Sequence, residues 1–217
     1  MPPAVVRKTS TKVVNGVVRT KSRFTLTSIH GYTIEKLPPG RGFKHVVSPR
    51  QLAQFIEIIP NWEDLSYRLR RIELAPGYLN YFGYHTFYRR SDVALIALNA
   101  WPKRLWTPLS VGFFRRHRHV FEALQVPYEI QFRKAICRFT VAQARAFSLL
   151  HVFLHEVGHH HDWLHRRGAR KNIEGYADKF ADSYLEELLP IYKERFGDPA
   201  RSSMFVAEEV DLINDPE

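Results

Sequence analysis

The sequence of 217 residues has one cysteine, no long apolar run and no internal repeat. The single cysteine, Cys137, excludes an internal disulfide framework and a zinc ribbon built from several cysteines. No apolar stretch approaches the roughly 20 residues that a membrane-spanning helix needs, and the first residues lack the apolar segment of a secretory signal. These absences predict a cytoplasmic protein with no membrane partner. Cys137 lies in an apolar alternation, which predicts a buried structural thiol.

Acidic residues are outnumbered, with 22 aspartates and glutamates against 32 lysines and arginines, and the formal net charge is +10. The excess is concentrated, because residues 7–23 carry no acid and residues 114–119 read Phe-Arg-Arg-His-Arg-His. Such a charge favours acidic partners, so nucleic acid bound through the basic surface is one predicted partner. Basic surfaces are also common in proteins that bind no nucleic acid, and this partner stays an alternative.

Three regions follow from the composition. Residues 1–45 are predicted to form a basic N-terminal arm with hairpins, with an Asn-Gly turn signal inside Val13-Val14-Asn15-Gly16-Val17-Val18 and a linker at Pro38-Pro39-Gly40. Residues 46–196 form the main domain, and residues 197–217 an acidic tail. Within the main domain the pattern predicts helices at 48–59, 110–125, 140–167 and 172–189, and extended segments at 67–74, 82–88, 93–101 and 128–139. Pro190 is expected to end the last helix.

The run His155-Glu156-Val157-Gly158-His159 specifies chemistry rather than shape. On a helix with about 100° per residue, His155 and His159 project from one face, one turn apart, and can hold one metal ion. Glu156 lies to the side, where it can reach a water molecule at the metal without displacing it. A histidine-rich chain also produces such a run by accident, so the surrounding sequence decides its meaning.

The helix that carries this run is predicted to be central. Thr140 and Gln143 form a capping box at its start, and apolar residues cover nearly the whole circumference of its first half, which is typical of a buried helix. Buried imidazoles are costly unless a partner satisfies them, and a metal ion does so. Gly158 lowers the helix propensity, which a buried helix tolerates where another element approaches closely.

A catalytic zinc site needs a third protein ligand and leaves the fourth position for water. Glu174, early on the next helix, is the favoured candidate, because a turn at Gly168 would bring it beside the two histidines. Asp178 lies one turn further along the same face. It would accept the outer N–H of a ligand histidine and so orient the ring.

Two other residues compete for the third position. His165 completes the spacing of a three-histidine zinc signature, but on a continuous helix it points about 120° away from His159 and lies roughly 9 Å further along. Asp162 is on the metal-facing side, only one turn past His159, and would crowd the site.

The remaining histidines of this helix are given other roles. His160 and His161 do not point with the ligand pair, which predicts a solvated or packing role for both. His151 lies one turn before His155 and is expected to line the pocket. Together with Tyr176, it is a candidate donor for the oxyanion that forms during acyl transfer.

Two segments together resemble the ImmA/IrrE-type metallopeptidases, which belong to the gluzincins. They are residues 155–159 and the run Glu174-Gly175-Tyr176-Ala177-Asp178-Lys179-Phe180-Ala181, followed by Leu188-Leu189-Pro190. The resemblance covers about half of the chain, roughly residues 147–190 with compatible strands upstream. Asp178 stands where many members of the subfamily carry asparagine, and the chain has no clear helix-turn-helix region.

The resemblance implies an α+β, zincin-like (minigluzincin) fold. In such a fold a small, mostly antiparallel sheet packs on the HExxH helix, and a C-terminal helix supplies the last ligand. It also implies one zinc ion, held by two histidines and a downstream glutamate, and limited proteolysis of a protein partner, often a transcriptional repressor.

The predicted function is therefore hydrolysis of peptide bonds in a protein or peptide substrate, with Glu156 as general base. The strand at 93–101 is expected to form the sheet edge on which an extended peptide aligns. Two alternatives remain open. One is a catalytically silent zincin-fold module for binding or regulation, which contacts DNA through its basic surface. The other is a structural metal site, closed by His151 or Asp162 as fourth ligand.

Overall fold

The structure is a computed structural model that describes residues 12–14, 17–19, 24–27, 31–78, 81–165 and 172–201. It has a mixed α+β fold. The strands are β1 Lys12–Val14, β2 Val17–Arg19, β3 Phe24–Thr27, β4 Thr33–Lys36, β5 Phe43–Lys44, β6 Leu69–Ala75, β7 Gly83–Tyr88, β8 Val93–Asn99, β9 Trp101–Pro102, β10 Trp106–Ser110, β11 Tyr128–Gln131 and β12 Lys134–Arg138. The helices are α1 Pro49–Ile56, α2 Trp62–Leu65, α3 Val111–Arg116, α4 Arg118–Ala123, α5 Val141–Phe147, α6 Leu154–His165 and α7 Ile173–Phe196, with a π-helical segment Ser148–Phe153 between α5 and α6.

A five-stranded sheet with the order β3-β4-β6-β8-β7 packs against α6. The pairs β4–β6 and β6–β8 are parallel, whereas β3–β4 and β7–β8 are antiparallel. The sheet on the HExxH helix is thus mixed, and the prediction that it is mostly antiparallel is wrong. After β6 the chain skips one position to form β7, and β8 then returns between them. This order depends on contacts between distant segments, which strand patterns do not reveal.

The position of β8 corrects a second prediction. Residues 93–99 form an interior strand, flanked by β6 and β7, and six of its seven residues are buried. Among the described strands, β7 is the edge on this side, so the expectation that residues 93–101 form the edge is wrong. Continuous burial on both faces is what an interior strand requires.

Part of the N-terminal region belongs to the five-stranded sheet. The antiparallel pairing of the two strands that flank Asn15-Gly16 is confirmed, with Val13 paired to Val18 and Val14 to Val17, and the two turn residues themselves lie outside the described residues. However, β4 lies inside the five-stranded sheet, and Ile34 is 2% exposed in the main core. The boundary expected near residue 45 therefore does not separate the sheet from the N-terminal strands. Residues 1–11 and most of the acidic tail lie outside the described residues.

The helix predicted at 140–167 is confirmed as far as His165, beyond which residues 166–171 lie outside the described ranges. Thr140 and Gln143 form the predicted capping box. Phe147, Leu150 and Phe153 are completely buried, as expected for a central helix. The π-helical turn at residues 148–153 was not predicted. It widens the helix just before the HExxH run, and such turns are frequent at functional sites.

The last helix starts as predicted but ends later. Asn172 caps it by accepting a hydrogen bond from the Gly175 N–H at 2.8 Å. The prediction that Pro190 ends it is wrong, because α7 continues to Phe196 and stops at Gly197 with φ 87°. Leu188 and Tyr192 are both buried on the core side of this stretch. Their packing holds the helix together across the proline, at the cost of one backbone hydrogen bond.

A second sheet is three-stranded and antiparallel, with the order β10-β12-β11, and α3 packs against it. The extended stretch predicted at 128–139 is a hairpin, and Cys137 within it is completely buried, as predicted. The helix predicted at 110–125 is two short helices interrupted at His117. Within the described part of the chain, none of the helices combines the length and apolar character of a membrane span.

Candidate metal centre

The site forms where α6 and α7 pack side by side. Gly158 makes this approach close, because a Cβ atom there would lie 2.9 Å from the Cα of Ala177 and 3.0 Å from the Cβ of Phe180. The interpretation of Gly158 as a point of close approach is therefore confirmed. Because the helices touch at Gly158, the first turn of α7 lies beside the HExxH turn of α6.

The side chains of three residues bring possible metal-ligand atoms close together. The Nε2 atoms of His155 and His159 lie 3.0 Å apart. Glu174 places Oε2 3.4 Å from the first nitrogen and Oε1 3.6 Å from the second. Among the described residues, this is the one group of three such donors within 4.8 Å of one another.

The donor set fits a zinc ion. Zinc bonds of about 2.1 Å in a tetrahedral arrangement place ligand atoms roughly 3.4 Å apart, which matches these separations. Two imidazoles and one carboxylate are also the ligands of many catalytic zinc sites. The predicted set of His155, His159 and Glu174 is thus brought together, and all three residues line one cleft.

Asp178 lies where the sequence predicted it. Its Oδ1 atom is 3.0 Å from Nδ1 of His155, the ring nitrogen that does not face the ligand group. Burial alone would raise the pKa of Asp178, but contacts with His155 and His117 outweigh it, so the net pKa lies below its ordinary value. An ionised Asp178 fixes the ring of His155 and keeps the hydrogen on Nδ1.

Glu156 points into the cleft and is 6% exposed. Burial, opposed by His155 and assisted by Glu174, raises its pKa to about 7. A Cβ atom at Gly83 on β7 would lie 3.2 Å from Oε1 of Glu156 and 2.7 Å from the carbonyl oxygen of Ala97. The glycine therefore lets the edge strand run directly over the carboxylate.

The cleft has a volume of about 540 Å³ and lies between β7, the HExxH turn and the start of α7. Aromatic side chains form much of its wall, and they are Tyr81, Phe82, Tyr84, Phe87, Phe113 and Trp163. Of the described residues, no lysine or arginine lines it. Although the chain has a high net positive charge, the acidic and basic side chains that line this cleft are carboxylates and imidazoles.

His151 lines this cleft, as expected from its position, and is 4% exposed. Beside it lies His117, with ring centroids 4.5 Å apart. Burial, first of all, lowers the pKa of both rings, so both are neutral at pH 7. Each has a buried Nδ1 atom without a hydrogen-bond partner in the described structure.

Sequence reasoning missed His117. It was included in a run of basic residues, where alternating arginines and histidines indicated a charged surface. Its side chain instead turns inward at the break between α3 and α4, and its Nε2 lies 3.8 Å from Oδ1 of Asp178. The preceding pair Phe113-Phe114, of which Phe114 is buried, was the one signal that this run faces the core.

The other predicted candidates do not join the ligand group. Tyr176 contacts Nδ1 of His161 through its hydroxyl at 2.7 Å and is not among the residues that line the cleft, so its role as an oxyanion donor stays a prediction. His165 binds the carbonyl oxygen of His161, one turn back on the helix, and is far from the ligands as expected. Asp162 is buried outside the donor group.

His160 has the predicted packing role. It is completely buried, and its Nε2 lies 2.9 Å from the carbonyl oxygen of Tyr67.

No family model, curated protein or solved structure matches this chain in comparisons with known proteins.

Proposed function

We propose that this protein is a zinc-dependent peptidase with a zincin-like fold of the gluzincin type. One observation carries the proposal. Three zinc-compatible donors and a buried carboxyl with a pKa of about 7 meet in one open cleft beside a sheet edge. Metal, proton acceptor and a surface for an extended peptide are the parts that hydrolysis of a peptide bond requires.

His155, His159 and Glu174 would hold one zinc ion. When bound, the ion would supply positive charge that acidifies a water molecule and polarises the substrate carbonyl. Asp178 keeps His155 in the orientation and tautomer that present Nε2 to the ligand group. Glu174 is well exposed, with 61% of its side chain accessible, so the site opens to solvent and substrate on that side.

Glu156 acts as the general base. A carboxyl whose pKa lies near 7 can accept a proton from water and return it to the leaving amine at neutral pH. Its burial beneath β7 shields the carboxyl group from bulk water and fixes its position beside the ligand histidines. A glutamate in this position serves no purpose in a closed structural zinc site, which favours the enzyme over that alternative.

The substrate would bind as an added strand along β7. An edge strand leaves backbone N–H and C=O groups free on its outer side, and a peptide can pair with them. His151 and His117 stand in the cleft wall with unpartnered ring nitrogens, which favours His151 over Tyr176 as donor to the oxyanion and adds His117 as a candidate.

Membership of the ImmA/IrrE-type subfamily and a cytoplasmic location remain predictions. The rival reading, a silent zincin-fold module that binds DNA, would need a surface other than the cleft, since the cleft lining has no lysine or arginine among the described residues.

The test compares zinc content and peptide cleavage in the wild type, Glu156→Gln and the exposed control Glu187→Gln. We expect Glu156→Gln to retain one zinc ion per chain and to lose cleavage by at least a hundredfold, because only the proton acceptor is removed. Glu187→Gln should match the wild type in both respects. Cleavage that survives in Glu156→Gln, or a zinc-loaded wild type that cleaves no peptide, would contradict the proposal.

A further inference from the structure

A buried histidine behind the cleft wall has a fixed hydrogen position. Nε2 of His160 lies 2.9 Å from the carbonyl oxygen of Tyr67. Because a carbonyl oxygen can only accept a hydrogen bond, this nitrogen carries the hydrogen. The ring is completely enclosed, and in the described structure its hydrogen-bond partners are both neutral. A neutral ring is favoured there, and its Nδ1 atom then offers a lone pair.

The ring that faces this lone pair belongs to His85, in the middle of β7. Nε2 of His85 lies 3.3 Å from Nδ1 of His160 and must donate the hydrogen of this bond. Burial lowers the pKa of His85 to about 3, so its ring is neutral and its Nδ1 atom carries no hydrogen. His85 lines the cleft, and Nδ1 has no hydrogen-bond partner among the described residues. His85 thus presents a fixed acceptor to a molecule in the cleft.

An aromatic wall stands next to this acceptor. Phe87 lies two residues along the same face of β7, and its ring centroid is 3.9 Å from that of Trp163. Trp163 lies 5.5 Å from the ring of His160, so the wall continues to the histidine pair. Aromatic faces attract cations, and an acceptor nitrogen binds an N–H group.

The charge of the cleft is consistent with a cationic occupant. The charged side chains of the lining are Glu156, Glu174 and Asp178, and the described lining includes no lysine or arginine, although Arg116 lies 3.7 Å from Asp178 and offsets its charge. Asp178 contacts the proposed zinc ligand His155, and Glu174 is itself a proposed ligand, so these two carboxylates contribute little to the choice of occupant. Selection of a cationic side chain therefore depends mainly on His85 and the aromatic wall.

We propose that the cleft selects a lysine or arginine side chain next to the cleaved bond, held by Nδ1 of His85 and by the rings of Phe87 and Trp163. This specificity rests on the proposed peptidase function and names its substrate class.

The experiment uses the zinc-loaded full chain and quenched fluorogenic peptide mixtures. Each mixture has one fixed residue, which is arginine, citrulline, norleucine or glutamate, and all other positions are randomised. Citrulline has the shape of arginine without its charge. We expect the wild type to cleave the arginine mixture roughly tenfold faster than the norleucine and citrulline mixtures, and the glutamate mixture most slowly.

Two variants of β7 distinguish loss of the His85 acceptor from a general effect of mutating the strand. His85→Gln keeps an amide N–H in the place of Nε2, and so can still bind His160, but it has no atom in the place of Nδ1. Thr86→Val changes the neighbouring residue, whose side chain points to the opposite face of the sheet. The ratio of arginine to norleucine cleavage should fall below about threefold in His85→Gln and stay near tenfold in Thr86→Val. A wild type that prefers norleucine or glutamate, or an unchanged ratio in His85→Gln, overturns the inference.

A binding measurement distinguishes the failure of this inference from failure of the peptidase proposal. Acetyl-Ala-Arg-Ala-amide and its norleucine counterpart are titrated into the wild type and followed by the nitrogen resonances of its labelled histidines. A saturable shift of the His85 Nδ1 resonance with the arginine peptide alone supports the basic subsite, even if nothing is cleaved. Cleavage without any preference for arginine, or no shift at His85, rejects the subsite while leaving the peptidase activity a separate result.

Discussion

Nδ1 of His155 lies 3.0 Å from Oδ1 of Asp178, one turn of α7 beyond Glu174. The two carboxylates of α7 thus meet the two nitrogens of one imidazole, Glu174 at Nε2 and Asp178 at Nδ1. This relation makes Asp178 a positioning residue for the metal site. Because Glu174 and Asp178 are four residues apart, they lie on the same face of α7 and can both reach the ring of His155.

Removing the carboxylate of Asp178 should weaken zinc binding. In Asp178→Ala, we expect zinc affinity to fall by roughly 10- to 100-fold, because His155 loses the group that fixes its ring. Competition with a chromogenic chelator measures this. The control is Asp182→Ala, one turn further along α7, where the carboxylate binds exposed His119. Equal zinc affinity in Asp178→Ala and the wild type would show that Asp178 does not position His155.

A methyl group at Gly158 should separate the two ligand helices. The added Cβ would lie 2.9 Å from Ala177 Cα, a contact that only a backbone shift relieves. We expect Gly158→Ala to lower the free energy of unfolding by about 1–3 kcal/mol, despite the better helix propensity of alanine. Urea denaturation of the metal-free protein measures it. Gly112→Ala is the control, since its Cβ meets nothing within 4 Å. A more stable Gly158→Ala would refute the close approach.

The proline inside α7 should lower the stability of the protein. Pro190 lacks the N–H that a helix interior uses, although the helix continues to Phe196. Pro190→Ala is expected to raise the free energy of unfolding, by up to about 3 kcal/mol, because it restores that donor. Thermal denaturation is a sufficient measurement. A lower stability would mean that the proline ring contributes more by packing than its missing hydrogen bond costs.

Cys137 should make the protein less stable in alkali. Burial raises the pKa of its thiol to about 11. The unfolded chain, with a thiol near its ordinary pKa, releases this proton more readily than the folded chain between those two values. Stability therefore declines as pH rises from about 9 towards 11. Denaturation at a series of pH values should show a shallower decline in Cys137→Ala. Rapid labelling of the native thiol at neutral pH would contradict its burial.

Tyr176 and His151 should differ in their effect on catalysis. The Tyr176 hydroxyl contacts His161 and is absent from the described cleft lining, so Tyr176→Phe should keep kcat/KM within about threefold of the wild type. His151→Phe should lower kcat by tenfold or more if this ring donates to the oxyanion, with zinc content unchanged. Steady-state kinetics with a common peptide separates the two. A larger loss of activity in Tyr176→Phe than in His151→Phe would favour Tyr176 as the donor.

The ligand residues could be predicted because their spacing is a local property. His155 and His159 share a helix face whatever surrounds the helix, and Glu174 and Asp178 repeat that spacing on α7. The sequence argument also used a turn at Gly168 between the two helices, and residues 166–171 lie outside the described residues. The hydrogen-bonding caps at Thr140 and Asn172 were predictable for the same reason.

The errors concern contacts between distant segments. The order of β7 and β8 depends on which strand returns to the middle of the sheet, and alternating polarity contains no information on that choice. The continuation of α7 past Pro190 depends on core packing of Leu188 and Tyr192. His117 was assigned to a charged surface, because the turn that buries it depends on its packing against Phe113 and His151.

The central claim is that His155, His159 and Glu174 together bind one zinc ion. It is tested most directly by a crystal structure of the zinc-loaded protein, with anomalous data at the zinc absorption edge. The account predicts one anomalous peak within about 2.3 Å of Nε2 of both histidines and of a carboxylate oxygen of Glu174. A peak without Glu174 in its coordination sphere, or no zinc peak at this position, would contradict it.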